Sequence, residues 1–294
     1  MSDKPVVGFI GLGLMGAGFV KRLVATGHEV VGFDVVAGKC EAAASQGAQI
    51  VASPREMAQQ ADIIACSVTT PANVAKIVTG PDGLITAGRR EGMVFIDHST
   101  TPIELTLDLG RRLGEEAGVG FVDAPVSGGP PAAEAGTLAI MAGGEKQAIE
   151  MVRPVMEMLG TFTHMGPTGA GQATKLVNQT LVLTNYCVIA EALALAECYG
   201  VDAARVPEAL ASGHAGSNLL PVLFERMIAR DWAPKGYARQ VLKDLEMLND
   251  AAHEKCLPMP MASQALTLFR MLNTRGRSEL DGAAVFELVG GGEC

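Results

Sequence analysis

Aromatic side chains are scarce in this chain, only 4% of 294 residues, with a single tryptophan. The core is therefore expected to be built from Leu, Val, Ile, Met and Ala, and a hydrophobic share of 48% suits a folded globular protein rather than a disordered one. Positive charge is also short: 23 Lys and Arg stand against 32 Asp and Glu, for a formal net charge of −9. That balance argues against nucleic acid or an anionic membrane surface as partner. The cysteines (Cys40, Cys66, Cys187, Cys198, Cys256, Cys294) contain no C-x-x-C pair, and no histidine cluster accompanies them. No metal site is expected, and reduced thiols in a cytoplasmic protein are. A basic segment followed by a small-residue cleavage site is missing at the N-terminus, so no secretory signal is expected. The longest apolar stretch is broken by Asn178, Gln179, Thr184, Asn185, Glu191 and Glu197, which speaks against a membrane span.

What the chain does have begins at once. Val6–Ile10 is a short apolar run that ends in Gly11-Leu12-Gly13-Leu14-Met15-Gly16, followed by a helical pattern and a second apolar run closing on Asp34. The order is strand, G-x-G-x-x-G, helix, strand, acid, and dinucleotide chemistry needs that order. Gly11 permits the tight turn, Gly13 lets backbone approach a pyrophosphate, and Gly16 lets helix and strand pack closely. The helix N-terminus offers amides and partial positive charge to the phosphates. Asp34 can accept from a ribose 2′-hydroxyl and would repel a 2′-phosphate, and no arginine follows it immediately, so NAD is favoured over NADP.

Further strands are read at 48–51, 62–68, 94–97, 120–124 and 138–142, with another at 162–164, and helical patterns alternate with them. Ser53-Pro54 is expected as N-cap and first position of a helix. The alternation implies an α/β, Rossmann-type, doubly wound parallel sheet, whose ligands sit beyond the C-terminal strand ends. Gly11–Gly16, Asp34, Val68, Thr69, Asn73, Thr100 and Ser127-Gly128-Gly129 should line that edge. Asp97-His98-Ser99 has the residue types of a hydrolytic triad, but consecutive residues cannot form its nested hydrogen bonds. Ser127 lacks a G-x-S-x-G elbow; Ser127-Gly128-Gly129 is better read as a turn offering a hydroxyl and amides to a carboxylate.

From Gly169 to Gly200 runs an unbroken helical stretch that is apolar nearly all round. Lys175, Asn178 and Gln179 share one of its faces. Lys175 either snorkels its amine to water or serves a site; spacing alone leaves both open. After Gly200 the strand signals stop. Helices are expected at 202–210, 219–228, 240–253 and 261–271, and the apolar residues near Asp281 can pack, on a partner subunit among other places. Lys243, taken alone, reads as a solvated lysine on an amphipathic helix.

Four blocks together resemble the β-hydroxyacid dehydrogenase family, which includes 3-hydroxyisobutyrate dehydrogenases and tartronate semialdehyde reductases. They are Gly11–Gly16, Asp123-Ala-Pro-Val-Ser-Gly-Gly129, Gly169-Ala-Gly-Gln-Ala-Thr-Lys175-Leu-Val-Asn178-Gln179, and Lys243-Asp244-Leu245. The resemblance implies a dinucleotide-binding domain at 1–166 and a helical substrate and dimerisation domain at 167–294, joined by the long helix with the active site between them. It implies Lys175 as catalytic acid/base, Ser127, Gly128, Gly129 and an amide at Asn178 or Gln179 as holders of a small carboxylate substrate, and Lys243 beside the cofactor. Many members carry Asn where this chain has Gln179, a longer amide that bears on substrate size. The expected activity is NAD-dependent oxidation of a small 3-hydroxy acid, in a homodimer or homotetramer. A reductase of tartronate or succinic semialdehyde or glyoxylate, and a β-hydroxy amino acid or threonate dehydrogenase, are the alternatives; Lys175 argues against an imine reductase and a non-catalytic module. His214, Ser217, Asn218, Arg239 and Gln179 are candidates for choosing the substrate.

Overall fold

Alternation with period two explains the first half of the structure, a computed structural model that describes residues 4–290. In strands β1 (Val7–Ile10), β4 (Ile63–Cys66) and β5 (Val94–Asp97) every residue is buried. Successive side chains point to opposite faces, so Phe9, Ala65 and Ile96 enter one core while Ile10, Ile64 and Phe95 enter another. Strands β2 (Val30–Phe33), β3 (Gln49–Ile50) and β6 (Gly120–Asp123) extend the parallel set. Helices α1 (Leu14–Ala25), α2 (Ala37–Ser45), α3 (Pro54–Met57), α4 (Pro71–Thr79) and α5 (Ile103–Arg112) connect them. Ser53 caps α3 by accepting from Glu56 N at 3.1 Å, with Pro54 in the first turn.

The remaining strands are β7 (Val126–Ser127), β8 (Leu138–Gly144) and β9 (Gly160–Gly166), separated by α6 (Gly129–Ala135) and α7 (Lys146–Met156). The nine-stranded sheet runs β3-β2-β1-β4-β5-β6-β8-β7, with β9 also on β8. The expected parallel sheet is present from β1 to β6, and β8 adds an antiparallel pairing with β6 and β7. Residues 128–137 are too few for the crossover of about a dozen residues that a parallel return needs.

Two compact units divide the chain, Met1–Lys175 and Leu176–Cys294. The division falls inside α8 (Ala170–Cys198), the long helix. The second unit is helical, with α9 (Val206–Leu210), α10 (Leu219–Ile228), α11 (Ala238–Glu254), α12 (Pro260–Leu272) and α13 (Phe286–Val289). Its core takes Leu183, Cys187, Ala190 and Leu193 from α8, a helical spacing that presents one stripe. The tail residues Ala283, Ala284, Val285 and Phe286 are buried in this same core rather than left for a partner subunit. Beneath them Asp281 pairs with Arg226 at 2.8 Å, both almost fully buried. Its carboxylate also accepts from Lys235 N, Gly236 N and Ala283 N. Cys40, Cys66, Cys187 and Cys256 are free thiols. Cys198 is disulfide-bonded, against the expectation of reduced thiols throughout, and Cys294 lies outside the described residues.

Candidate active site

The glycine loop follows β1 and opens α1. Gly11 has φ +91°, and a Cβ there would stand 2.4 Å from the Ser67 carbonyl oxygen. Gly16 passes so close to the Gly11 carbonyl that no side chain fits. Gly13, at the N-cap, is different: a Cβ would meet only the Lys39 amine, at 3.9 Å. Its lack of a side chain serves no packing in the protein, which fits a bound pyrophosphate that must approach the backbone. Leu14 is exposed and Leu12 buried, with Met15 between the two.

Asp34, just past β2, accepts from Leu12 N at 2.8 Å and from Val36 N at 2.9 Å. Lys39 stands 3.5 Å from it. The carboxylate thus ties the glycine loop to the strand end and is held in one orientation. Thr69 and Asn73 are exposed and Val68 half-buried. Asn73 sits within the first turn of α4, its backbone N–H donating to the Thr70 hydroxyl at 3.3 Å. Val68 N donates to Ser99 Oγ at 3.0 Å, which joins the β4 and β5 ends, and half-buried Thr100 follows.

His98 is buried under Phe19, ring centroids 4.8 Å apart, and its Nδ1 lies 2.6 Å from the Ala124 carbonyl. Burial lowers its pKa to about 4, so it is neutral near pH 7. Asp97 is also buried; its carboxylate accepts from Ser99 N, the Thr101 hydroxyl and the Cys66 thiol. Burial raises its pKa, and raises that of Cys66 further.

Ser127 ends β7, and Gly128 (φ +133°) turns the chain into α6. Lys175 belongs to the same unit. It is only 8% exposed, and its Nζ donates to the Val126 carbonyl at 2.8 Å, so the amine is held against the residue before Ser127 instead of snorkelling to water. Asp123, a residue to which the sequence pattern assigns no role, accepts from Gly169 N and Gln172 N, both at 2.8 Å. Burial raises its pKa to about 6 against the lowering effect of those amides.

In the second unit the amide pair is linked to α11. Asn178 Nδ2 donates to Gln179 Oε1 at 2.9 Å, and Gln179 Nε2 donates to Asp244 Oδ2 at 2.5 Å. Asp244 also pairs with Lys243 at 3.0 Å. Lys243 is therefore tied to a neighbouring carboxylate, not simply solvated. Of the proposed selectors, Ser217 Oγ accepts from Leu220 N, and Arg239 pairs with Glu279 at 2.8 Å. His214 and Asn218 are exposed. Asp244 is the residue the sequence pattern missed here; its place inside the quoted Lys-Asp-Leu block was the available signal. Among the described residues no group of three or more His, Cys, Asp and Glu could hold a metal ion.

The family described as NAD binding domain of 6-phosphogluconate dehydrogenase matches residues 6–167, and that described as NAD-binding of NADP-dependent 3-hydroxyisobutyrate dehydrogenase matches residues 169–289. The 2-hydroxy-3-oxopropionate reductase of Escherichia coli is 35% identical over 285 residues, 96% of each chain. The NAD-dependent L-serine dehydrogenase of Pseudomonas aeruginosa is 33% identical over 290 residues, 96% of this chain and 97% of its own. Among solved structures, a Mycobacterium tuberculosis 3-hydroxyisobutyrate dehydrogenase with L-serine matches with a TM-score of 0.84 at 30% identity, covering 97% of this chain and 99% of that one.

Proposed function

Because this chain belongs to the β-hydroxyacid dehydrogenase family, and so is an oxidoreductase that acts on a hydroxyl group with a nicotinamide cofactor, we propose that it oxidises a small 3-hydroxy acid of the 3-hydroxyisobutyrate kind. The carrying observation is the buried Lys175 amine, 2.8 Å from the carbonyl that precedes Ser127-Gly128-Gly129. A proton-transfer group from α8 is thereby brought up against the residue that precedes a carboxylate-binding turn. The bound nicotinamide supplies the hydride acceptor or donor. The Ser127 hydroxyl and the Gly128 and Gly129 amides hold the substrate carboxylate. Lys175 takes the hydroxyl proton in oxidation and returns it in reduction, work typically worth about 10²–10⁴-fold. Gly11 to Gly16 and the start of α1 hold the phosphates.

NAD is the proposed cofactor. Asp34 is anchored by two backbone amides, so it cannot swing aside to admit a 2′-phosphate. We assign a homodimer or homotetramer; Val177, Leu181, Val188 and Leu195, exposed along α8, support that assignment. The test is the rise in reduced-nicotinamide absorbance with NAD+ and 3-hydroxyisobutyrate, glycerate, threonate or L-serine at mildly alkaline pH. Turnover of one of them is expected. If all four stay silent while NAD+ binds, oxidation of 3-hydroxy acids is rejected and reduction of tartronate semialdehyde or glyoxylate is tried next.

A further inference from the structure

Asp123 takes no part in the chemistry above, yet it is fully buried and spends both carboxylate oxygens on the start of α8. The first amides of a helix need acceptors, and a side chain just before the helix usually provides one. Here the acceptor comes from a strand end 46 residues earlier. Two glycines make room for it. A Cβ on Gly143 would stand 2.6 Å from Asp123 Oδ1. One on Gly171 would stand 2.8 Å from Oδ2 and 2.4 Å from the Asp123 carbonyl oxygen.

A second tether lies one residue on. Gln172 Nε2 donates to the Ser99 carbonyl at 2.9 Å, and its Oε1 accepts from Thr101 N at 3.1 Å. Thr101 in turn donates its hydroxyl to Asp97 at 2.7 Å. Gln172 is 1% exposed, so no water competes for these bonds. One turn further along α8 stands Lys175, whose amine reaches back to Val126. Residues 123–129 therefore carry the helix anchor, the acceptor of the lysine amine and the Ser-Gly-Gly turn together.

We propose that Asp123, assisted by Gln172, is the positioning residue for Lys175: it fixes the start of α8 to the segment that bears the carboxylate turn, and so sets how far the amine stands from that turn. The proposal rests on Lys175 as the acid/base. Misplacement of a reacting group by about 1 Å can cost 10²-fold in rate, whereas a purely structural cap would lower stability and leave turnover per folded molecule unchanged.

Asp123→Asn keeps one acceptor and turns an amino group on the other amide; Gln172→Met removes the second tether at similar size. Each is made in the natural chain and in Lys175→Ala, and kcat and KM are measured with NAD+ and the fastest 3-hydroxy acid of the four above. The expected result is a fall in kcat of about tenfold or more in the natural background, KM for NAD+ within about twofold, and a further fall of less than about twofold in Lys175→Ala, because residues acting through one group are not additive. Equal falls in both backgrounds, or an unchanged kcat, overturn the proposal. Should Asp123→Asn fail to fold, Gln172→Met decides on the same criteria. Lys175→Ala by itself reports separately: near-normal turnover in that variant removes the acid/base reading, whatever the Asp123 variants do.

Discussion

A lysine buried to 8% exposure must be held by something, and Lys175 is held by a backbone carbonyl. Lys175→Ala is expected to lose at least about 10²-fold in kcat while NAD+ still binds, as fluorescence titration of the dinucleotide would show; binding lost together with turnover would instead place Lys175 in cofactor retention. Asp34 makes a second residue-scale claim. Asp34→Ser should raise the ratio of kcat/KM with NADP+ to that with NAD+ by about tenfold or more, since a carboxylate beside a 2′-phosphate is repulsive. An unmoved ratio means that another group discriminates, and Lys39, 3.5 Å from Asp34, would be examined next. The Gly11–Gly16 turn and the Asp34 that follows it are local patterns with a fixed chemical demand and could be picked out from the residues alone, whereas spacing left Lys175 open and only the family resemblance of its block singled it out. Asp123 and Gln172 could not be picked out. Their bonds span 46 to 73 residues, and no local period marks a carboxylate that will cap a helix so far away.

At the scale of elements, two glycines in similar-looking motifs have opposite reasons to be glycine. Gly171→Ala would set a methyl 2.4 Å from the Asp123 carbonyl oxygen and 2.5 Å from that of Met141, so α8 could not seat. A stability loss of about 1–3 kcal/mol or more is expected from such overpacking, read as a lower melting temperature. Gly13→Ala meets nothing nearer than 3.9 Å. Its stability should change by no more than about 1 kcal/mol, yet NAD+ should bind about tenfold more weakly or worse, because the methyl occupies the phosphates' line of approach. If Gly13→Ala binds NAD+ normally, the phosphates lie elsewhere. The strands and long helices were readable from apolar period and capping residues, Ser53-Pro54 being one case. β7 was not readable: Val126 and Ser127 are too few to show a period, and only pairing with Ile140 and Ala139 makes them a strand. The antiparallel return of β8 follows from that same short connection.

For the whole molecule, two buried groups set opposing responses to acid. His98 has its pKa lowered from 6.5 to about 4 by burial. The unfolded chain takes up its proton first, so the stability His98 carries is present above pH 6.5 and is lost as the pH falls toward 4, by about 3 kcal/mol at 1.36 kcal/mol per unit. Asp123 is raised from 3.8 to about 6. Its contribution is complete below pH 3.8 and is lost as the pH rises through 6, by about the same amount. Between these values the two slopes oppose each other. His98→Phe removes one of them, so the difference in stability between variant and natural chain should shift in the variant's favour by about 3 kcal/mol from pH 6.5 to 4, measured by urea midpoints. A difference that does not vary with pH would show that His98 titrates normally.

The buried Arg226–Asp281 pair sets an order in time. Asp281 also gathers the amides of Lys235 and Gly236, which precede it by 46 and 45 residues. Chains leave the ribosome at about 5–20 residues per second, and units fold in the order they emerge. For several seconds of synthesis, then, the sheet unit can already be complete while Arg226 has only the half-exposed Asp231 beside it and the segment around Gly236 lacks the Asp281 carboxylate. The helical unit closes only when Asp281 arrives, so during translation it is this half of the nascent chain, apolar and still open, that most needs the shelter of a chaperone.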